Sequence, residues 1–115
     1  EVGVDANSVS STIHCTKYNN NNTTIEHASK LIDTAESEYH VYGCEWTPDF
    51  ISFLVDGVQI LKYNNDGTKE GWPFNTEFYP ILNLAWGGVW GGYKGVDETA
   101  LPTTMKVDYL RVFQK

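Results

Sequence analysis

The sequence predicts an all-β protein of antiparallel sheets packed as a sandwich. Three observations carry that prediction. Short runs of apolar and aromatic residues alternate with polar ones, turn residues separate the runs, and no segment keeps the 3.6-residue period of a helix. Several short strands with such spacing indicate a sandwich or barrel.

The first run, Val9 to Thr16, alternates small polar with apolar residues. A turn signal follows at Asn19 to Asn22, where Asn21 and Asn22 each head an Asn-x-Thr sequon for glycosylation in a eukaryotic secretory route. The next run, Glu38 to Trp46, sets Tyr39, Val41, Gly43 and Glu45 on one face and His40, Tyr42, Cys44 and Trp46 on the other. Phe50-Ile-Ser-Phe-Leu-Val55 and Val58-Gln-Ile-Leu-Lys-Tyr63 flank Asp56-Gly57, a two-residue connection that predicts a type I′ hairpin. Phe78 to Ala85 reads as a buried strand with Pro80 near its start, and Met105 to Phe113 as a terminal strand with one wet face. Further turns fall at Asn64-Asn65-Asp66-Gly67, at Gly71-Trp72-Pro73 and along Gly87 to Gly95, and a single helical turn fits Val96 to Leu101. Five or six strands would leave two small sheets with open edges, so the chain is expected to form part of a larger sandwich.

Composition narrows the function. At 41% hydrophobic and 14% aromatic residues, the 115-residue chain has the apolar content of a folded domain. Eight basic against fifteen acidic residues give a net charge of −7, and the lysines (Lys17, Lys30, Lys62, Lys69, Lys94, Lys106, Lys115) are scattered. Phosphate binding needs clustered cations, so no nucleic-acid partner is expected, and a neutral polymer fits better. No apolar run approaches the ~20 residues that span a bilayer, so no membrane partner is expected. Cys15 and Cys44 are the only cysteines, too few for a disulfide framework or, without more ligands, a zinc site. They read either as semi-buried thiols or as one cross-strand disulfide in an exported protein.

The chemistry-bearing residues are mainly aromatic. Trp86-Gly-Gly-Val-Trp-Gly-Gly-Tyr93 sets three large rings among four glycines. Glycine lets backbone approach a ligand closely, and flat rings match the apolar faces of sugars, so carbohydrate stacking is one use and loop anchoring the other. Trp46 ends a strand and either lines a cleft or fills the core, while Trp72 before Pro73 reads as a loop anchor. Among the histidines His14, His27 and His40, His14 is the candidate, because its strand face also presents Thr12 and Thr16. Glycan cleavage commonly uses two carboxylates about 5–9.5 Å apart. Asp33, Glu36 and Glu38 lie in a polar stretch read as solvated loop and Glu1 has no partner before it, so no catalytic residue is assigned.

The run His40-Val-Tyr-Gly-Cys-Glu-Trp-Thr-Pro-Asp-Phe-Ile-Ser-Phe-Leu-Val-Asp-Gly57 resembles the signature of glycoside hydrolase family 16, especially its laminarinase-like endo-β-1,3-glucanases. Phe78-Tyr-Pro-Ile-Leu-Asn-Leu-Ala-Trp-Gly-Gly88 resembles the family's later strand and glycine loop, and Pro102 to Phe113 its closing strand. Trp86 departs from the smaller apolar residue common before that Gly-Gly pair. The resemblance implies that residues 1–115 are the C-terminal portion of a single concanavalin-like jelly-roll β-sandwich domain, extracellular and secreted. It also implies a retaining mechanism run by a Glu-x-Asp-x-x-Glu strand. Val2-Gly3 matches the hydrophobic-Gly pair beyond that motif, which sets Glu1 on the variable position after the acid/base; with one residue deleted there, Glu1 would be the acid/base itself. Either way the nucleophile lies outside this sequence, and the chain alone is expected to be inactive. The implied substrate-binding residues are His14, Trp46, Asn83, Trp86 and Trp90, with His14 and Asn83 near the bond being cut. No cofactor is implied for catalysis, and Asp108 matches an Asp that helps hold a structural Ca²⁺ in many members. The implied partners are a β-glucan and a complementary N-terminal fragment or chain. The rival reading is a non-catalytic glucan-binding module of the same fold.

Overall fold

The computed structural model describes residues 1–19, 21 and 26–114. The part of the turn and sequon reading that falls on Asn20 and on Asn22, Thr23 and Thr24 lies outside them. The chain divides into two compact units, Glu1–Phe78 and Tyr79–Lys115.

The first unit holds two antiparallel sheets. Strands β1 (Ser8–Ile13) and β2 (Glu26–Leu31) pair from Ser8 opposite Leu31 to Ile13 opposite Glu26. Strands β3 (Tyr42–Trp46), β4 (Phe50–Val55) and β5 (Val58–Asn64) form the second sheet in that order. The Asp56-Gly57 turn has φ of 49° and 77° at its two central residues, the positive pair that a type I′ hairpin requires. A one-residue irregularity in the β4–β5 register follows Phe53, which pairs with Leu61, while Leu54 pairs with Gln59; Ile60 is the extra residue of a bulge.

Alternation decides which side chains meet. Ile51, Phe53 and Val55 share one face of β4, and the register brings Trp46, Cys44 and Tyr42 of β3 onto the same face. Val9 and Ile13 of β1 point toward that layer. One core cluster joins Ile13, Ile51, Leu61, Tyr63 and Trp72, and a second joins Val9, Ala35 and Val55. Tyr63 stacks on Trp72 at 5.7 Å between ring centroids, and its hydroxyl donates to the Gly71 carbonyl at 2.7 Å. Burial and the nearby Asp66 carboxylate push the Tyr63 phenol up to about 12, so it stays protonated as a donor.

Two polar clamps fasten the loops. Lys17 meets Asp66 at 2.7 Å, and Asp66 also accepts from the Thr68 amide and hydroxyl at 3.0 and 2.9 Å, which holds its carboxyl down at about 2. His40 Nδ1 lies 2.7 Å from Asp56 Oδ2, while its Nε2 meets the Thr34 hydroxyl at 3.0 Å. Asp56 Oδ1 accepts the Val41 amide at 2.9 Å, and the Asp56 amide returns a 2.9 Å bond to the Val41 carbonyl. These bonds take up residues 40 and 41, so β3 starts at Tyr42 rather than at Glu38 as the sequence pattern suggested.

The second unit has little regular structure: a helical turn α1 (Gly88–Gly91) and a 3₁₀ turn at Glu98–Ala100, the latter within the predicted Val96–Leu101 turn. Asp97 caps it, accepting from the Thr99 amide at 2.9 Å. Here the sequence reading needs two corrections. Among the described residues neither Phe78 to Ala85 nor Met105 to Phe113 pairs into a sheet, and both runs are exposed, with Tyr79 at 79% and Phe113 at 86%. Alternation records which faces want burial, but a strand also needs a neighbour to complete its backbone ladder. Strand β2 was missed because Glu-His-Ala-Ser-Lys-Leu carries no apolar alternation.

Two outcomes follow. Ile51→Ala removes a side chain at 6% exposure from the core cluster and lowers stability by about 2–5 kcal/mol, read as a lower urea midpoint. The His40–Asp56 pair gives the second. Its hydrogen bond to Asp56 raises His40 above the ordinary 6.5, and the same bond lowers Asp56 below 3.8. The His40 contribution is complete below pH 6.5 and is lost as pH rises through the raised value. The Asp56 contribution is complete above pH 3.8 and is lost as pH falls through the lowered value. The urea-midpoint gap between wild type and His40→Gln is therefore widest between pH 3.8 and 6.5 and narrows on both sides.

Candidate functional site

The site is built on β1. Val9 and Ile13 face the core, so alternation turns Ser10 and Thr12 to the other face; the predicted Val9–Thr16 strand stops at Ile13, and His14 follows it, exposed. β2 occupies one edge of β1. On the other edge the Glu1 amine donates to the Ser10 carbonyl and the Ser10 amide donates to the Glu1 carbonyl, both at 2.8 Å, with Val2 bridged to Val9. Beyond Ser10 this edge has no ladder partner among the described residues.

An open depression of about 290 Å³ lies along that edge, its polar wall formed by Glu1, Ser10, Thr12 and His14 and its apolar wall by Val9, Phe53 and Val55. Thr12 Oγ1 lies 3.0 Å from His27 Nδ1, which the β1–β2 register sets directly opposite it. Sequence reasoning passed over His27 because that role becomes visible only once β2 is recognised. The Ser10 and Thr12 hydroxyls and the His14 imidazole suit the hydroxyls of a sugar, which both donate and accept.

Trp46 stands apart from this depression. It lines a second one of about 490 Å³ with Thr47, Pro48, Trp72, Phe74 and Asn75, and its ring meets Phe78 edge-on at 5.6 Å. The register sets it opposite Ile51 on the core-side face, so its ring extends the apolar layer of the sheet.

In the second unit Gly87 and Gly88 take φ of 69° and 78°, conformations that a side chain disfavours, and they lead into α1. This turn presents Trp90, 58% exposed, stacked on Tyr93 at 5.9 Å with 20° between the planes. Trp86 is 47% exposed, and Asn83 and Asp108 are exposed as well. Among the described residues no three His, Cys, Asp or Glu converge to hold a metal. Ca²⁺ takes six to eight oxygens, so Asp108 by itself does not make such a site.

A family model described as glycosyl hydrolases family 16 matches residues 2–111. The chain belongs to glycosyl hydrolase family 16. Its jelly-roll β-sandwich is the fold class that the sequence predicted, as the solved structures bear out. The chain superimposes on the laminarinase from Rhodothermus marinus with a TM-score of 0.83 at 36% identity, covering 89% of this chain and 43% of that one. It also superimposes, with a TM-score of 0.80 at 36% identity, on a variant of a non-specific endo-beta-1,3(4)-glucanase co-crystallised with 1,3-beta-D-cellotriosyl-glucose, covering 89% of this chain and 40% of that one. In sequence it is 37% identical over 119 residues to the beta-glucanase of Rhodothermus marinus, covering 98% of this chain and 42% of that protein. It is likewise 37% identical over 90 residues to a keratan-sulfate endo-1,4-beta-galactosidase of Sphingobacterium multivorum, covering 76% of this chain and 21% of that protein. The chain thus spans less than half the length of these relatives.

Of the alternatives left open for the cysteines, the structure takes the thiols: Cys15 and Cys44 are both free. Burial pushes the Cys44 thiol up from 9.0. Denatured without reductant, the protein takes up one alkylating group per cysteine by intact mass; a disulfide would leave this pair unlabelled.

Proposed function

We propose that this chain is the glucan-binding C-terminal part of a retaining endo-β-1,3-glucanase, active together with an N-terminal segment that carries the Glu-x-Asp-x-x-Glu motif. The observation that carries this reading is the edge of β1. A polar, histidine-bearing face stands beside an unpaired strand edge, at the point where Glu1 and Ser10 have already begun a ladder. A strand continued along that edge would run beside Ser11 and Thr12, which line the depression. Membership of a family of glycosyl hydrolases, among relatives named as β-glucanases and laminarinases, supplies the reaction class.

In this reading His14 and Asn83 hydrogen-bond the sugar near the scissile bond, and Trp86 and Trp90 stack on neighbouring rings. The stacked Trp90–Tyr93 pair would hold the Trp90 plane ready for a sugar face, at little cost in side-chain freedom. Trp46 acts on the core side, supporting the sheet. The unpaired apolar runs 78–85 and 105–113 take their places as strands when the whole sandwich is present. Ca²⁺ at Asp108 would draw its remaining oxygens from carbonyls and water, and its role would be structural. Substrate of this size lies outside the cell, so the enzyme is secreted.

The test uses the full-length protein and laminarin. It releases reducing ends, and the newly formed ends carry the β configuration before mutarotation, as double displacement requires. Trp90→Ala raises KM about 2- to 10-fold through the lost stacking. Binding of laminarin without hydrolysis would favour the recognition module instead.

A further inference from the structure

We infer that Asn7 and Glu36 form a lock that sets the register of the catalytic strand against β1, so that both are positioning residues for glucan hydrolysis. The inference rests on the reading that this strand runs into Glu1.

The chain reverses between Val2 and Ser8. Gly3 at φ 89° and Asn7 at φ 55° make the reversal, with the Gly3 amide donating to the Ser8 carbonyl at 3.3 Å and the Ser8 amide to the Asp5 carbonyl at 2.9 Å. Asn7 is one of two non-glycine residues with positive φ among those described, a conformation that Asn tolerates better than most residues but that still costs free energy. Something outside the turn must hold it. Glu36 does so: its Oε1 accepts the Asn7 amide at 2.8 Å, and its own amide donates to Asn7 Oδ1 at 3.3 Å. The Asn7 carbonyl meanwhile accepts the Ile32 amide at 2.9 Å, which continues the β1–β2 ladder. Glu36 is itself fixed by its neighbour Ala35, buried in the core against Val9 and Val55.

These bonds reach 29 residues along the sequence and tie the reversal to the core. The reversal in turn decides that Val2 lies opposite Val9 and Glu1 opposite Ser10. A strand's side chains alternate between faces, so a slip of one residue would turn the acid/base, which the resemblance sets just before Glu1, to the opposite face of β1. Loop length and turn conformation choose between the two registers, and the Asn7–Glu36 pair holds the turn conformation. Glu36 lies far in sequence from the reacting groups and acts through the turn that its carboxylate holds.

The experiment compares Glu36→Ala, Glu36→Gln and Asn7→Ala in the full-length protein, each assayed well below its own unfolding midpoint. Glutamine keeps the Oε1 acceptor, so Glu36→Gln should retain kcat within about threefold. Glu36→Ala and Asn7→Ala should lose about 10- to 100-fold in kcat, the scale of a small misplacement of reacting groups, with KM changed less than about threefold. Hydrogen exchange supplies a readout independent of activity: in Glu36→Ala the Ser10 amide, bonded to Glu1, loses protection while the Asp56 amide, bonded to the Val41 carbonyl, keeps its own. Unchanged Ser10 protection would overturn the lock. Lost protection with an unchanged kcat would overturn its positioning role. Should the wild-type protein prove inactive on glucan, the functional reading fails, and the Ser10 exchange result alone decides the register lock.

Discussion

The packing of the β1–β2 hairpin over the β4–β5 hairpin is the interaction on which the rest of the first unit depends. Ile13 comes from one sheet, Ile51, Leu61 and Tyr63 from the other, and Trp72 from the loop that closes over them. Each sheet alone is too small to hide its apolar face. Stacking them buries both faces at once, and this fixes which way every other side chain points. Because Val9 and Ile13 must face inward, Ser10 and Thr12 must turn to the opposite face. The candidate site is thus a consequence of the core, through the two-residue period of the strand.

The same logic explains where order stops. Among the described residues β4 has partners on both sides, β1 has β2 and a two-residue start of a second neighbour, and β3 has only β4. The second unit has apolar rows but no ladder among the described residues, and its rings stand largely in solvent. Hydrophobic pattern and backbone pairing are separate requirements, and these segments satisfy the first without the second. The polar clamps sit at the points where a strand ends. Asp56 with His40 and Val41 closes the entry to β3, and Asp66 with Lys17 and Thr68 closes the exit from β5.

This separation also decides what was legible in the sequence. The β4–β5 hairpin was readable because Asp56-Gly57 dictates its own turn and the flanking residues alternate. Trp72 as a loop anchor was readable from its place before Pro73. β2 was not, since Glu26–Leu31 is held by pairing with β1 rather than by burial, and composition carries no trace of pairing. The runs 78–85 and 105–113 failed in the opposite sense. The run Val9 to Thr16 was legible as a strand only as far as Ile13, with His14 just beyond its end, and the His27 partner of Thr12 needed the register. Trp46 was ambiguous by pattern, and its position opposite Ile51 puts it on the core side. The Asn7–Glu36 pair could not be foreseen at all, because no local rule links residues so distant in sequence.

The central claim is that this chain supplies sugar-binding walls while the catalytic carboxylates arrive on a strand that pairs with the free edge of β1. Complementation measures it most directly. The 115-residue chain is assayed on laminarin alone, then after co-refolding with a separate N-terminal segment bearing Glu-x-Asp-x-x-Glu. The account predicts no release of reducing ends from either piece and steady hydrolysis from the pair. Hydrolysis by the 115-residue chain alone would contradict it, as would an inert complex that had assembled stoichiometrically.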